Sequence, residues 1–248
     1  MFIEIIKLQL DKLKMYKNSV YLNLFFLAIT IFVEFSVFSI FNEFTNDLLV
    51  YILISTSIFQ ASMTTLIPEF CKTIKKGEIS KYYIRPIDMF LYICMEDFGE
   101  SLKRLIQGIT FILLGILISF FFNKVNIYFV LLFLISLILG LIIAVLISEM
   151  VYSFAFVIHN YNSLKAILTC ISSLFSGALI PFILLPNAFV EIAQITPFAF
   201  VIDIPIGFLI GTSSIGDLSL QILWIIILYL IGKCFFLNNT KKIQIYGG

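Results

Sequence analysis

Charge is what this chain has least of. Only 12% of its 248 residues are Asp, Glu, Lys or Arg, about half of what a soluble domain uses to wet its surface. Much of its outer surface must therefore face something other than water. A single histidine excludes a His-rich metal centre, and His159 is read as a turn residue in His159-Asn160-Tyr161-Asn162. The four cysteines, Cys71, Cys94, Cys170 and Cys234, form no C-x-x-C pair and are read as reduced thiols. No Gly-x-x-x-x-Gly-Lys-[Ser/Thr] run occurs. The only Gly-Lys, Gly232-Lys233, lacks the preceding glycine, which excludes a phosphate-cradling loop of that type. A net charge of +1 argues against nucleic acid as a partner. No grouping of Ser, Cys or carboxylates resembles a hydrolase or an intramembrane protease. The chain is not expected to be an enzyme or to bind a metal or cofactor itself.

What is abundant is apolar. Hydrophobic residues make up 61% of the chain, 28 of them Phe, and the mean hydropathy is +1.09. A hydrocarbon core of about 30 Å takes about 20 apolar helical residues to cross. Six runs approach that, at about 20–41, 48–67, 105–122, 127–147, 166–185 and 218–237. Lys and Arg set the orientation, because basic residues concentrate in cytoplasmic loops. With these six spans, Lys124 alone of the 16 basic residues falls on one side. The other side, holding Lys75, Lys76, Lys103, Arg104, Lys233 and Lys241 among others, is the cytoplasmic one. Both termini are then cytoplasmic, and the short outer loops carry Glu43, Asp47, Glu191, Asp203 and Asp217.

The remaining segments are not simple loops. Residues 1–18 show no cleavable signal peptide. On a helix they place Glu4, Lys7, Asp11 and Lys14 on one stripe and Ile3, Ile6, Leu10 and Leu13 on another. Such a helix lies along the membrane interface or packs on a partner. Residues 68–104 form a long basic cytoplasmic segment, punctuated by Pro68, Gly77 and Arg85-Pro86. Residues 148–161 are read as an interfacial extension of the fourth span. Residues 186–214 are apolar yet broken by Pro186, Pro197, Pro205, Gly207 and Gly211, too apolar for water and too broken for one helix. Two short re-entrant helices dipping in from the outer face satisfy both facts. The expectation is an all-α integral membrane protein: one transmembrane domain over 1–248, with six spans, an N-terminal amphipathic interfacial helix and a re-entrant helical hairpin before the last span. Two carboxylates fall within the apolar runs. Glu34, past the middle of the first span, is a candidate for a substrate path. Glu149, at the inner end of the fourth, is expected at the interface.

Two motifs then carry a resemblance. Gly77 to Asp88, GEISKYYIRPID, resembles the G-E-(I/L)-x-x-(Y/L)-L-x-R-P-x-D segment of one branch of the type-2 ATP-binding-cassette (ABC-2) export permeases. Ser176 to Gly211 is similar to that branch's S-G-x-x-I-P-x-x-x-x-P…P-F…P…G pattern. The chain departs from it near His159, where many relatives carry Trp-Thr. The resemblance implies a permease in the bacterial plasma membrane, paired with a second permease subunit, identical or related. Each permease docks on one subunit of an ABC ATPase dimer, which holds the ATP and Mg²⁺. It assigns ATPase coupling to Gly77, Glu78, Tyr82, Arg85 and Asp88, and an outer gate to Pro186, Pro197, Pro205 and Gly207. Phe- and Ile-rich spans suit a lipophilic or amphipathic cargo: a drug, a peptide or a lipid. A secondary transporter and a non-transporting membrane scaffold remain as alternatives. The first needs internal repeats and deep ionisable groups; the second needs no broken outer insert.

Overall fold

Backbone polar groups in hydrocarbon have no water to bond, so long runs of Leu, Ile and Phe satisfy them by winding into helices. The computed structural model describes residues 4, 7–11, 17–41, 45–62, 88–122, 125–156 and 161–240, and among these it is helical, without a strand. Its longer helices are α1 (Lys17–Phe41), α2 (Asn46–Ser62), α3 (Met89–Gln107), α4 (Ile109–Phe122), α5 (Ile127–Tyr152), α6 (Tyr161–Phe175), α7 (Asn187–Ile195), α8 (Ala199–Ile210) and α9 (Ile215–Thr240). Among the described residues, α1, α5 and α9 are long and apolar enough to cross a membrane. The number rises to five if each of the bent pairs α3–α4 and α7–α8 counts as one span.

Three of the six expected spans therefore have different bounds. The run at 105–122 is cut at Gly108, where the chain bends by 62° from α3 into α4. The run at 166–185 begins earlier, at Tyr161, and its helix stops at Phe175, before Ser176 and a Gly177 with φ of 80°. Fifteen helical residues reach only about 22 Å, short of a hydrocarbon core. The fourth span runs on to Tyr152 before a 3-10 turn at Ser153–Phe156, so the expected extension from 148 starts as the same helix. The second span is described only as far as Ser62.

The larger difference is α3. Most of its length falls in what reads as a basic cytoplasmic loop, yet it is built into the protein body. Its buried face carries Phe90, Tyr92, Ile93, Cys94 and Asp97, while Glu100, Lys103 and Arg104 stay partly exposed and bond to one another. Five charged residues from Glu96 to Arg104 leave α3 by itself short of the apolar length a span needs. Its apolar residues at helical spacing let it run across the ends of the other helices instead. Phe90 packs on Tyr229 and Phe236 of α9. At the far end of α3, Gln107 accepts a hydrogen bond from Asn23 of α1 at 2.9 Å, and Gly108 rests on Ser57 of α2.

α5 is the central post. It packs on α8, α9, α3 and α6 and buries fourteen of its residues, from Leu132 to Tyr152. Its contact with α8 is close because Gly140 has no side chain. A Cβ there would lie 2.9 Å from the carbonyl oxygen of Phe200 and 3.0 Å from that of Val201. Gln221 of α9 closes the same junction, donating from Nε2 to the carbonyls of Ser136 (3.2 Å) and Phe200 (2.9 Å). α1, by contrast, is mostly exposed; Leu27 is its fully buried large residue, and Tyr21, Phe25, Phe26 and Phe32 face outward.

The Gly140 junction yields a direct test. Gly140→Ala pushes a methyl group into backbone that belongs to another helix, an overpacking expected to cost about 1–3 kcal/mol. A lower Tm of the detergent-solubilised protein is expected, and an unchanged Tm would show that α5 and α8 separate freely.

Candidate functional site

One end of the bundle holds a cavity of about 380 Å³. It lies between the start of α2, the 3-10 turn Phe182–Leu184, α7, α8 and the start of α9. The broken sequence from Pro186 builds most of its wall. Pro186 precedes α7, and its carbonyl accepts from the amides of Phe189 (2.9 Å) and Val190 (3.2 Å). Thr196 ends α7, its hydroxyl and its amide both donating to the Ala193 carbonyl. Pro197 follows in the turn, and α8 leaves at 117° to α7. The stretch is therefore two short helices. α8 is not lipid-facing: Phe200, Val201, Ile202, Ile206 and Phe208 are each at most 3% exposed, packed on α5 and α2.

Pro205 is the exception to the expected breaks, because α8 continues through it. The ring removes the donor that the Val201 carbonyl would use, and that carbonyl faces the bare Gly140 surface. Gly207 is needed for a different reason. Its carbonyl accepts from the amides of Gly211 (2.8 Å), Thr212 (2.9 Å) and Ser213 (3.2 Å), folding the chain back over the last turn of α8. A Cβ on Gly207 would lie 2.0 Å from the Ser213 hydroxyl oxygen. That hydroxyl donates to the Ile204 carbonyl at 2.8 Å, and Gly211 takes the left-handed φ of 92° that the reversal demands.

Inside this frame the polar groups converge. The Tyr51 hydroxyl of α2 donates to Oδ1 of Asp203 on α8 at 3.1 Å, and Gln194 of α7 also bonds the Asp203 carboxylate. Asp217 caps α9, its Oδ2 accepting from the Ser214 amide (2.7 Å) and hydroxyl (3.1 Å). Asp203, expected in a short outer loop, is thus half-buried and held by two helices. Glu191, also expected in an outer loop, is exposed on α7.

The opposite end carries the charged contacts. Asp88, the last residue of the GEISKYYIRPID motif, caps α3 through the Phe90 amide at 3.1 Å and forms an ion pair with Lys233 of α9. Gln9 donates to Glu96 at 3.4 Å, tying the N-terminal segment to α3. Asn239 of α9 donates to Ser153 at 3.3 Å. Gly77, Glu78, Tyr82 and Arg85 lie outside the described residues, as do Cys71 and His159. Glu34 is half-buried on α1 and does not line the cavity. Glu149, expected at the interface, is instead fully buried and faces Asp97 of α3.

Sequence reasoning missed Tyr51, Gln194 and Asp97. Tyr51 and Asp203 are 152 positions apart, so no local pattern links them. The signal that was available for Asp97 is the helical spacing of Phe90, Ile93 and Asp97 on the buried face of α3. No group of three or more His, Cys, Asp and Glu able to hold a metal occurs among the described residues.

A family model described as "ABC-2 family transporter protein" matches residues 19–247. No curated protein and no solved structure is significantly similar to the chain.

Gly207→Ala is expected to cost about 1–3 kcal/mol by forcing Ser213 off the end of α8. The loss should appear as a lower Tm and as faster proteolysis in the 211–214 turn. Native cleavage and an unchanged Tm would contradict the geometry.

Proposed function

The chain belongs to the ABC-2 family of transporter proteins, matched over residues 19–247, and we propose that it is the permease of an ATP-driven exporter for a lipophilic or amphipathic substrate. As a family member it is a multi-pass membrane component without its own nucleotide site, and it partners with an ABC ATPase. In this proposal the ATPase dimer supplies ATP and Mg²⁺, a second permease subunit completes the path, and the complex lies in the plasma membrane with both termini cytoplasmic.

One observation carries the mechanism: the contact motif opens directly into α3. Asp88 closes the motif, caps α3 and grips Lys233. Movement of residues 77–88 against the ATPase then acts on a helix that touches α9 at Phe90 and α1 at Gln107. Closely packed helices do not absorb such a push locally, so it passes on as rigid-body motion. At the other end, α7 and α8 form the outer gate, entering the bilayer from outside and returning, with Pro197 at the hinge. Glu34 on α1 faces the path shared with the second subunit.

Charge placement supports this orientation. Lys233 of α9 and Lys103 and Arg104 of α3 lie towards one end, and no Lys or Arg lines the cavity at the other. Labelling of single cysteines on a cysteine-free background is expected to place Thr45 and Ser213 outside, and Lys75 and Lys241 inside. Labelling of Thr45 from the cytoplasm would overturn the orientation. The coupling role has its own test. Replacing Glu78 and Tyr82 together by Ala should lower transport severalfold in proteoliposomes while insertion stays intact. Full transport by that variant would remove the motif from the mechanism.

A further inference from the structure

We infer that the cavity between α2, α7, α8 and α9 is a binding site for an organic ammonium group. The inference rests on the proposed export function and narrows its cargo to amphipathic cations, or to molecules that carry one amine. Asp203 and Asp217 both line the cavity. Tyr51 and Gln194 offer Asp203 only neutral donors, and no Lys or Arg is among the lining residues. The wall therefore holds two acids and no base, a charge deficit that a bound cation fills.

The remaining wall selects what kind of cation. Phe182, Phe200 and Tyr51 line the cavity together with Ile183, Val190 and Leu220, a largely apolar wall beside the two carboxylates. Aromatic faces attract ammonium groups and reward their alkyl arms with apolar contact. A hard metal ion asks for six or more oxygens at close range. The cavity offers two carboxylates, one bonded to Tyr51 and the other engaged in capping α9. A volume of about 380 Å³ lies at the low end for small-molecule sites, which suits a headgroup with short arms rather than a whole drug-sized molecule.

The geometry also explains why the gate segment folds back where it does. The reversal at Gly207 brings Thr212 and Ser213 over the cavity and puts Asp217 at its rim. A cation seated between Asp203 on α8 and Asp217 on α9 bridges the last helix to the gate. An ammonium can reach this site as the headgroup of a bilayer lipid or as part of a molecule in solution.

The test uses the full chain in nanodiscs of phosphatidylglycerol, with choline as the probe and 3,3-dimethyl-1-butanol as its uncharged isostere. Binding is read by saturation-transfer NMR on the methyl protons. Choline is expected to bind at least tenfold more tightly than the isostere. The double variant Asp203→Asn, Asp217→Asn should lose that preference, while Glu191→Gln, an exposed carboxylate outside the cavity, should keep it. Asn still accepts from the Tyr51 hydroxyl, and Tm reports whether the fold survives. If the double variant is unstable, Asp217→Asn alone carries the test, with a loss of about threefold expected. Equal binding of the isostere, no choline binding, or full binding by the variants would overturn the inference. Adding phosphatidylcholine to the disc separates the two sources. Displacement of choline assigns the site to lipid headgroups, and undiminished binding assigns it to a cation from solution. Neither ATP nor the ATPase enters the measurement. Failure of ATP-driven export would thus leave a positive result standing, and failure of binding would leave export untouched.

Discussion

Every buried backbone carbonyl has to find its partner inside the protein, and α8 is where this chain meets that demand at its hardest. The helix is apolar on nearly all sides, contains Pro205, and ends in a reversal instead of leaving the bundle. It is viable because other helices enclose it. Gly140 lets α5 approach to backbone distance, and Gln221 donates to a carbonyl of each of the two helices at once. α2 covers the other flank, with Tyr51 bonded to Asp203. Removing Gln221 strips two buried carbonyls of a donor, at a cost of about 1–3 kcal/mol, and removing Tyr51 takes a donor from the Asp203 carboxylate. The cavity, the reversal at Gly207 and the cap of α9 all assume that α8 is already held in place.

How far the sequence reveals this depends on whether a feature is local. α1, α5 and α9 read directly from apolar length, since each is one unbroken run, although α5 continues five residues past its expected end. The two-helix character of 186–211 is also local, because proline acts on its own preceding turn. Pro205 shows the limit of that logic: its cost is set by what surrounds the helix, and Gly140 lies 65 positions earlier. α3 was obscured for another reason. Averaging hydropathy over a window blends Phe90 and Ile93 with Glu96, Glu100 and Arg104, and returns a cytoplasmic loop. The same residues sorted by helical face give an amphipathic helix with a buried side. Glu149 misled in the opposite sense. A carboxylate near a helix end reads as interfacial, but here α3 crosses that end and buries it against Asp97.

The two ends of the bundle are built from different chemistry, and that difference limits how motion can pass between them. At one end Asp88, Lys233, Glu100, Lys103 and Arg104 form ion pairs within and across helices. Such partly exposed pairs have soft geometry and are individually weak, so α3 can shift against α9 without a large loss. At the other end the contacts are short hydrogen bonds and glycine-mediated packing, which have one good geometry and resist sliding. α5 and α9, at 26 residues each, reach about 39 Å and touch both ends. A displacement entering at α3 is therefore tolerated where it begins and resisted where α8 is clasped. The joint with room to yield lies between them and the solvent: the turn at Thr196 to Phe198. There the small cluster of Phe182, Ala193 and Ala199 with Phe175 and Phe189 packs α7 on the start of α8, while the rest of α8 belongs to the main core. In the proposed mechanism a push on the long helices resolves into a change of angle between α7 and α8, and so of the width of the cavity they enclose.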